Sequence, residues 1–300
     1  MTAILLTGGT GFVGGHLRPA LRRHAIVLLG RREPALLTNE RWSYLDLSEP
    51  VEPEILADGE VLCHLAYSLE ARNANVEHNR HLLQAVNSRP NIRRVVLLSS
   101  TSVYGVITEP VVDEETPCNP VGEYATSKLA CEMLWRKGLR EDCSLTVLRP
   151  SEIIGPGGKG LLPLIQDALE RTLLGAIKRT VFYHRPLHYV AVRNVVSAIR
   201  FWLEHPLSTP AQREIYIVSD DHQPENRNYA AMQDAVRKLS GKPPLPGVAM
   251  PRPLLQILGR ITGRPLGSTR VYSSRKIRNA GFVDAVPLID EVRRVVQSLG

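Results

Sequence analysis

The chain is poor in cysteine, in aromatic side chains and in long apolar runs. Its four cysteines (Cys63, Cys118, Cys131, Cys143) form no C-x-x-C pair, which excludes a disulfide-stapled scaffold and a cysteine-type zinc site. Aromatic residues make up 5% of the sequence, so there is little to stack flat rings, and no aromatic RNA-binding or zinc-finger signature points to nucleic acid. No apolar run reaches the ~18 residues of a membrane span; Val95–Leu98 is strand length. The apolar start at Ala3 is cut short by the glycines from Gly8, which is not the pattern of a signal peptide. These lacks lead to the expectation of a cytoplasmic globular protein with no membrane insertion and no metal. Acid is also missing locally. Between Asp234 and Asp284 there is no Asp or Glu but ten Lys and Arg. Such a bias suits an anionic small substrate, a nucleic acid, a membrane surface or simply a solvated basic face.

In the first half, short apolar runs alternate with helical stretches. Strands are expected at Ala3–Leu6, Ile26–Leu29, Glu60–Leu65, Val95–Leu98 and Leu145–Leu148, and helices at Phe12–Arg23, Asn75–Ser88 and Gly122–Lys137. Continuous apolar strands separated by helices imply a parallel sheet covered on both faces. The fold class expected is α/β, a Rossmann-like doubly wound parallel sheet with a smaller, irregular C-terminal substrate lobe. After Arg149 the rhythm loosens: a helix is expected at Leu161–Leu174, strands at Leu187–Val192 and Ile215–Val218, and helices around Tyr229–Leu239 and Leu254–Ile261. The expected division is 1–155 and 156–300, with the segment around 187–218 a candidate to return to the first part.

Thr7-Gly8-Gly9-Thr10-Gly11-Phe12-Val13-Gly14 lies between the first strand and the first helix. Gly8 permits a tight turn, Gly11 lets backbone approach a pyrophosphate, and Gly14 allows close strand–helix packing. The phosphates of a dinucleotide would then meet the free N–H groups at the helix start. The second strand ends not on an acid, which would take the ribose 2′-hydroxyl of NAD, but on Arg31-Arg32. Two guanidiniums suit a 2′-phosphate, so NADP(H) is expected over NAD(H); the alternative is that both face solvent.

Tyr124 and Lys128 stand four residues apart on one helix face. A nearby ammonium can lower a phenol's pKa by ~1–3 units and so make it a usable proton donor. Ser100, after the strand Val95–Leu98, can add a hydrogen bond to a substrate oxygen.

With these motifs in order, the sequence resembles the extended short-chain dehydrogenase/reductases, in their nucleotide-sugar epimerase/dehydratase branch. The resemblance covers essentially the whole chain: TGGTGFVG (Thr7–Gly14), Asp46-Leu47, His64-Leu65-Ala66, SSTSVYG (Ser99–Gly105), YATSK (Tyr124–Lys128) and RPSEIIGPG (Arg149–Gly157). It implies a catalytic triad of Ser100, Tyr124 and Lys128. Asp46 and Leu47 become adenine contacts, Leu65, Ala66 and Tyr67 flank the cofactor, and Asn79 is the helix asparagine that braces the site. It also implies a homodimer. Within that family, 4,6-dehydratases carry an Asp-Glu pair where Thr101-Ser102 stand here, and the epimerase–reductases use a Cys and a His where Thr101 and Gly157 stand. Neither dehydration nor epimerisation at C3 or C5 is expected. Hydride transfer alone, as in a 4-ketoreductase, is favoured over a 4-epimerase; a reductase of another small carbonyl or a non-catalytic cofactor-binding regulator are the remaining readings. Glu152 replaces a family Asn that contacts substrate, and Val192-Arg193-Asn194 replaces Val-Asp-Asp. Ser102, Glu152, Arg185, Arg264 and Arg270 are substrate candidates, the arginines as a grip on a diphosphate or as plain surface cations. His184 and His188 lack a third ligand for a metal, and Ser100 lacks the G-x-S-x-G elbow of a hydrolase.

Overall fold

The structure is a computed structural model that describes residues 3–107, 109–170, 172–207, 210–262 and 270–299. Its strands are β1 (Ala3–Thr7), β2 (Ile26–Gly30), β3 (Glu40–Tyr44), β4 (Gly59–His64), β5 (Arg94–Leu98), β6 (Val111–Val112), β7 (Ser144–Pro150), β8 (Glu152–Ile154), β9 (Tyr189–Ala191), β10 (Arg213–Val218) and β11 (Val271–Tyr272). Its helices are α1 (Phe12–Ala20), α2 (Asn75–Asn87), α3 (Glu123–Gly138), α4 (Leu162–Leu169), α5 (Leu173–Phe182), α6 (Val192–Glu204), α7 (Tyr229–Leu239), α8 (Arg252–Thr262), α9 (Arg275–Asn279) and α10 (Leu288–Gln297).

Seven strands form one parallel sheet in the order β10-β7-β5-β4-β1-β2-β3. The registers follow from the apolar runs: Leu5 faces Val27 on one side and Leu62 on the other, and Val95 faces Leu145. Leu5, Leu62, Val95 and Val147 are fully buried with Leu82, Val86 and Trp135 from the helices. Helices cover both faces because a parallel sheet with such strands has no face that tolerates water. The strand order reverses at β1, which places a ligand crevice at the carboxyl ends of β1 and β4.

The chain divides into two compact units: Met1–Val106, Glu114–Pro150 and Val196–Ile217 in one, and Ile107–Asp113, Ser151–Val195 and Val218–Gly300 in the other. The boundary follows Pro150 instead of residue 155, and the short segment 107–113 belongs to the second unit, because β6 pairs with β11. The second unit has its own core, with Ile154, Leu164, Ile165, Met232, Val236, Leu288 and Val292 buried together.

The second half departs most from the sequence expectations. The single helix expected at Leu161–Leu174 is two, α4 and α5, because Thr172 is extended and its hydroxyl accepts the Gly175 N–H as a new helix cap. The strand expected at Leu187–Val192 shrinks to β9 and runs directly into α6. The run Tyr189–Val192 reads as strand and hides the helix start. Once formed, α6 buries Val192, Val195, Ile199 and Trp202 at helical spacing. β3 and α10 were also not evident as elements, the first because only two of its residues, Trp42 and Tyr44, favour strand. Among the described residues no helix is long and apolar enough to cross a membrane.

Candidate active site

The loop after β1 is shaped by two glycines. Gly8 has φ +70°, and a Cβ there would lie 2.6 Å from the Ala66 backbone nitrogen. A Cβ on Gly14 would lie 2.3 Å from the Gly8 carbonyl oxygen, so only glycine lets α1 start this close to β1. The first turn of α1 has Gly11 as its cap, no side-chain cap and no acid. Its N–H groups and positive dipole end are left for an anion. Among the sequence candidates, Thr10 is exposed in this loop, while the Phe12 ring meets His16 edge-on at 5.4 Å. This cradle fits the pyrophosphate of a dinucleotide.

Thr7, at the end of β1, opens a buried chain of hydrogen bonds. Its Oγ1 lies 2.6 Å from His64 Nδ1 and accepts the Ala66 N–H at 3.3 Å. His64 Nε2 lies 3.1 Å from Asn79 Oδ1, which also accepts the Trp135 Nε1–H at 2.7 Å. Asn79 Oδ1 can only accept, so His64 Nε2 carries the proton and Nδ1 accepts from Thr7. Burial, then the Lys128 charge, push the His64 pKa down to about 4, against the opposing hydrogen bond to Asn79. The imidazole is neutral. Asn79 is buried, its amide nitrogen donates to Asn75 O at 2.8 Å, and its polar atoms are all used inside the protein.

Arg31 and Arg32 follow β2 and are exposed. Asp46 accepts the backbone N–H and hydroxyl of Ser48, which hold its carboxyl below the usual range, with a smaller pull from the Arg31 charge. The carbonyl of Leu47 is 3.0 Å from His81 Nδ1. Leu65 donates its N–H to Thr7 O, closing the strand end beside the glycine loop.

Ser100 caps the short turn after β5, its Oγ accepting the Ser102 N–H at 3.1 Å. The Ser100 hydroxyl is near enough to Tyr124 to act on its phenol. Lys128 Nζ donates to Leu98 O at 3.0 Å and sits 4.0 Å from the centre of the Tyr67 ring and 6.0 Å from that of Tyr124. The two rings meet edge to face at 5.4 Å. Burial lowers the Lys128 pKa to about 8, against Cys131 and Glu132, which raise it. Here one expectation is corrected. The Tyr124 pKa lies above the ordinary phenol value, because burial outweighs the lowering effect of the Ser100 hydroxyl. The ammonium spends its closest contacts on Leu98 O and the Tyr67 face. Ser102 Oγ is buried without a hydrogen-bond partner.

A second set of residues, not found from the sequence, fixes these groups. Glu132, two turns from Tyr124 on α3, accepts from Arg149 Nε at 3.1 Å and Nη2 at 2.6 Å and from the Ser99 hydroxyl. Glu132 and Arg149 are buried. Their pairing ties the ends of β5 and β7 to the helix that carries Tyr124 and Lys128. No spacing signal announces it, since Ser99, Glu132 and Arg149 lie on three separate elements.

In the second unit, Glu152 and Arg185 are near enough to interact. Burial raises the Glu152 carboxyl above the usual range and the Arg185 charge opposes this. The Arg185 guanidinium lies 5.2 Å from the Phe182 ring centre. Arg270 lies elsewhere, 5.9 Å from the Tyr272 ring centre, and Arg264 is outside the described residues. His188 pairs with Asp221 at 2.7 Å, and no three metal-binding side chains group together among the described residues.

The model of the NAD dependent epimerase/dehydratase family matches residues 4–218. The chain is 26% identical over 243 residues to the UDP-glucose 4-epimerase of Lactobacillus helveticus, covering 69% of this chain and 73% of that protein. A stretch of 83 residues is 32% identical to the uncharacterised protein y4nG of Sinorhizobium fredii, spanning only 21% of its length. Among solved structures, the UDP-glucuronic acid 4-epimerase of Bacillus cereus in complex with NAD superposes with a TM-score of 0.74 at 18% identity, covering 99% of both chains. MoeE5 in complex with UDP-glucuronic acid and NAD gives 0.71 at 21% identity, covering 99% of this chain and 98% of that one. The chain belongs to the NAD dependent epimerase/dehydratase family, a family of NAD(P)-dependent enzymes of the extended short-chain dehydrogenase/reductase type.

Proposed function

We propose that the protein transfers hydride at a keto or hydroxyl carbon of a nucleotide-linked sugar, with NADP(H) preferred over NAD(H), and acts as a 4-ketoreductase. The observation that carries this reading is the grouping of Ser100 at the end of β5 with Tyr124 and a buried Lys128, whose ammonium lies 6.0 Å from the Tyr124 ring centre. The cradle from Gly8 to Gly14 would hold the pyrophosphate, Arg31 and Arg32 the 2′-phosphate, Asp46 and Leu47 the adenine, and Lys128 the ribose hydroxyls. When bound, the nicotinamide supplies or takes the hydride. Tyr124 holds the proton for the substrate oxygen, and its raised pKa keeps it protonated, as a reductase needs. Ser100 adds a second hydrogen bond to that oxygen, and the orphaned Ser102 hydroxyl is free to bind substrate. The side chains of Thr101 and Ser102 offer no acid–base pair for elimination.

Tyr124→Phe is expected to lower turnover by about 10²- to 10⁴-fold while changing the cofactor Kd less than about twofold. Retained turnover overturns the role. Replacing Arg31 and Arg32 together by Ala is expected to weaken NADPH by at least about tenfold and leave NADH unchanged; equal dissociation constants in the unaltered protein overturn the preference. A 4-epimerase is the second reading, favoured by the likeness to UDP-glucose 4-epimerase. Near-ultraviolet absorbance separates the two. A reductase consumes NADPH in proportion to a 4-keto-sugar nucleotide, whereas an epimerase interconverts two sugar nucleotides with no net change.

A further inference from the structure

Helix α5 is turned inside out. Its buried residues are Gly175 and Arg179, while Leu173 is 81% exposed and Leu174 and Ile177 also face water. Arg179 is held inward by carbonyls and by Gln233 and Asp234, so the apolar side has no choice but to face out. Helix α8 repeats the pattern. Leu255 is buried, but Leu254, Ile257 and Ile261 form a stripe at i, i+3 and i+7, with Ile261 76% exposed. The two helices are neighbours, because Met250, just before α8, donates its N–H to Thr180 O on α5 at 3.1 Å.

Isolated exposed leucines are ordinary, but two adjoining helices that both present branched aliphatics outward mark an interaction surface. The charge of the sequence that carries them narrows the partner. The two cations of α5, Lys178 and Arg179, are already paired with Asp167 and Asp234. Neither helix contains an Asp or Glu, and the acid-free tract from 235 to 283 that contains α8 carries exposed Lys238 and Lys242. We propose that the outward apolar faces of α5 and α8 dock this protein peripherally on an anionic lipid surface. A short amphipathic helix with cations beside its apolar face lies in the plane of the headgroups; clustered cations supply attraction to anionic lipid that salt screens. The inference rests on the second unit alone and stands whether or not the proposed reaction is correct.

The test is flotation of the full chain with vesicles of phosphatidylcholine, alone or with about one-third phosphatidylglycerol. Binding is expected on the anionic vesicles only, weakened at high salt. Ile257→Asp with Ile261→Asp, and separately Leu173→Ser with Leu174→Ser, should each lower it by about tenfold while thermal melting and NADPH binding stay unchanged. If a variant fails to fold, the comparison of neutral with anionic vesicles decides on the unaltered chain. No binding, or equal binding to both vesicle types, overturns the proposal. So does concentration-dependent self-association that the same substitutions abolish, which would make the patch an interface between copies.

Discussion

Burial shifts ionisable groups in both units, but at the candidate site the groups with the clearest consequence for pH are bases, and in the second unit the group is an acid. In the first, burial holds two bases toward neutrality, His64 at about 4 and Lys128 at about 8. In the second, burial raises an acid, Asp220, to about 6. In each case the driving force is the same, loss of water around the charged form, yet the consequence for stability runs in opposite directions with pH. The bases lie at the candidate site. Asp220 lies in a framework where it accepts the Ala191 N–H and both Asn194 Nδ2 contacts. Buried charge is thus part of the site in one unit and part of the scaffold in the other.

The largest effect should come from the buried Glu132–Arg149 ion pair of the first unit. Glu132→Gln leaves the buried Arg149 guanidinium without its counter-charge, and an unpaired buried ion costs about 3–5 kcal/mol. A fall of that size in denaturant-derived stability is expected, together with lost turnover, because Ser99 and α3 lose their tie. A loss under about 1 kcal/mol would show that Arg149 finds water and that the pair does not hold the site.

His64 gives the next largest effect and carries a sign. Between pH about 4 and 6.5 the unfolded chain binds a proton that the folded imidazole refuses. Stability is therefore lost as pH falls through that window, by on the order of 3 kcal/mol. His64→Gln should flatten this part of the stability–pH curve relative to the unaltered chain, read from urea transitions at pH about 7 and about 4. An unchanged slope would mean that the imidazole already charges in the folded state.

How far these groups were visible in the sequence follows the same division. Thr7–Gly14, Ser100, Tyr124 and Lys128 were legible because each sits at a fixed offset from a strand end or along one helix. The parallel sheet was legible because its strands are unbroken apolar runs. The Glu132–Arg149 pair and the His64–Asn79–Trp135 chain were not, since their partners come from separate elements and only packing brings them together. In the second unit, local signals misled. Thr172 interrupts what reads as one helix, and the apolar run Tyr189–Val192 conceals the start of α6. Inward Arg179 with outward Leu173 inverts the rule by which an amphipathic helix is oriented.

The smallest effect sharpens the contrast. Between pH 3.8 and about 6 the folded chain holds a proton on Asp220 that the unfolded chain has already released. Asp220 thus adds stability on acidification and withdraws it as pH rises toward 6, by slightly under about 3 kcal/mol. This partly offsets the loss at His64. Asp220→Asn removes the titration, so the fall in stability from pH about 6 to about 4 should become steeper, where His64→Gln makes it shallower. The amide keeps one acceptor for Ala191 or Asn194, and the neutral-pH change should be the smallest of the three. Combining both substitutions should restore a slope near that of the unaltered chain, because the groups lie in separate networks and their effects add. If Asp220→Asn instead flattens the curve, its carboxyl is ionised throughout the range, and the opposition between the two units disappears.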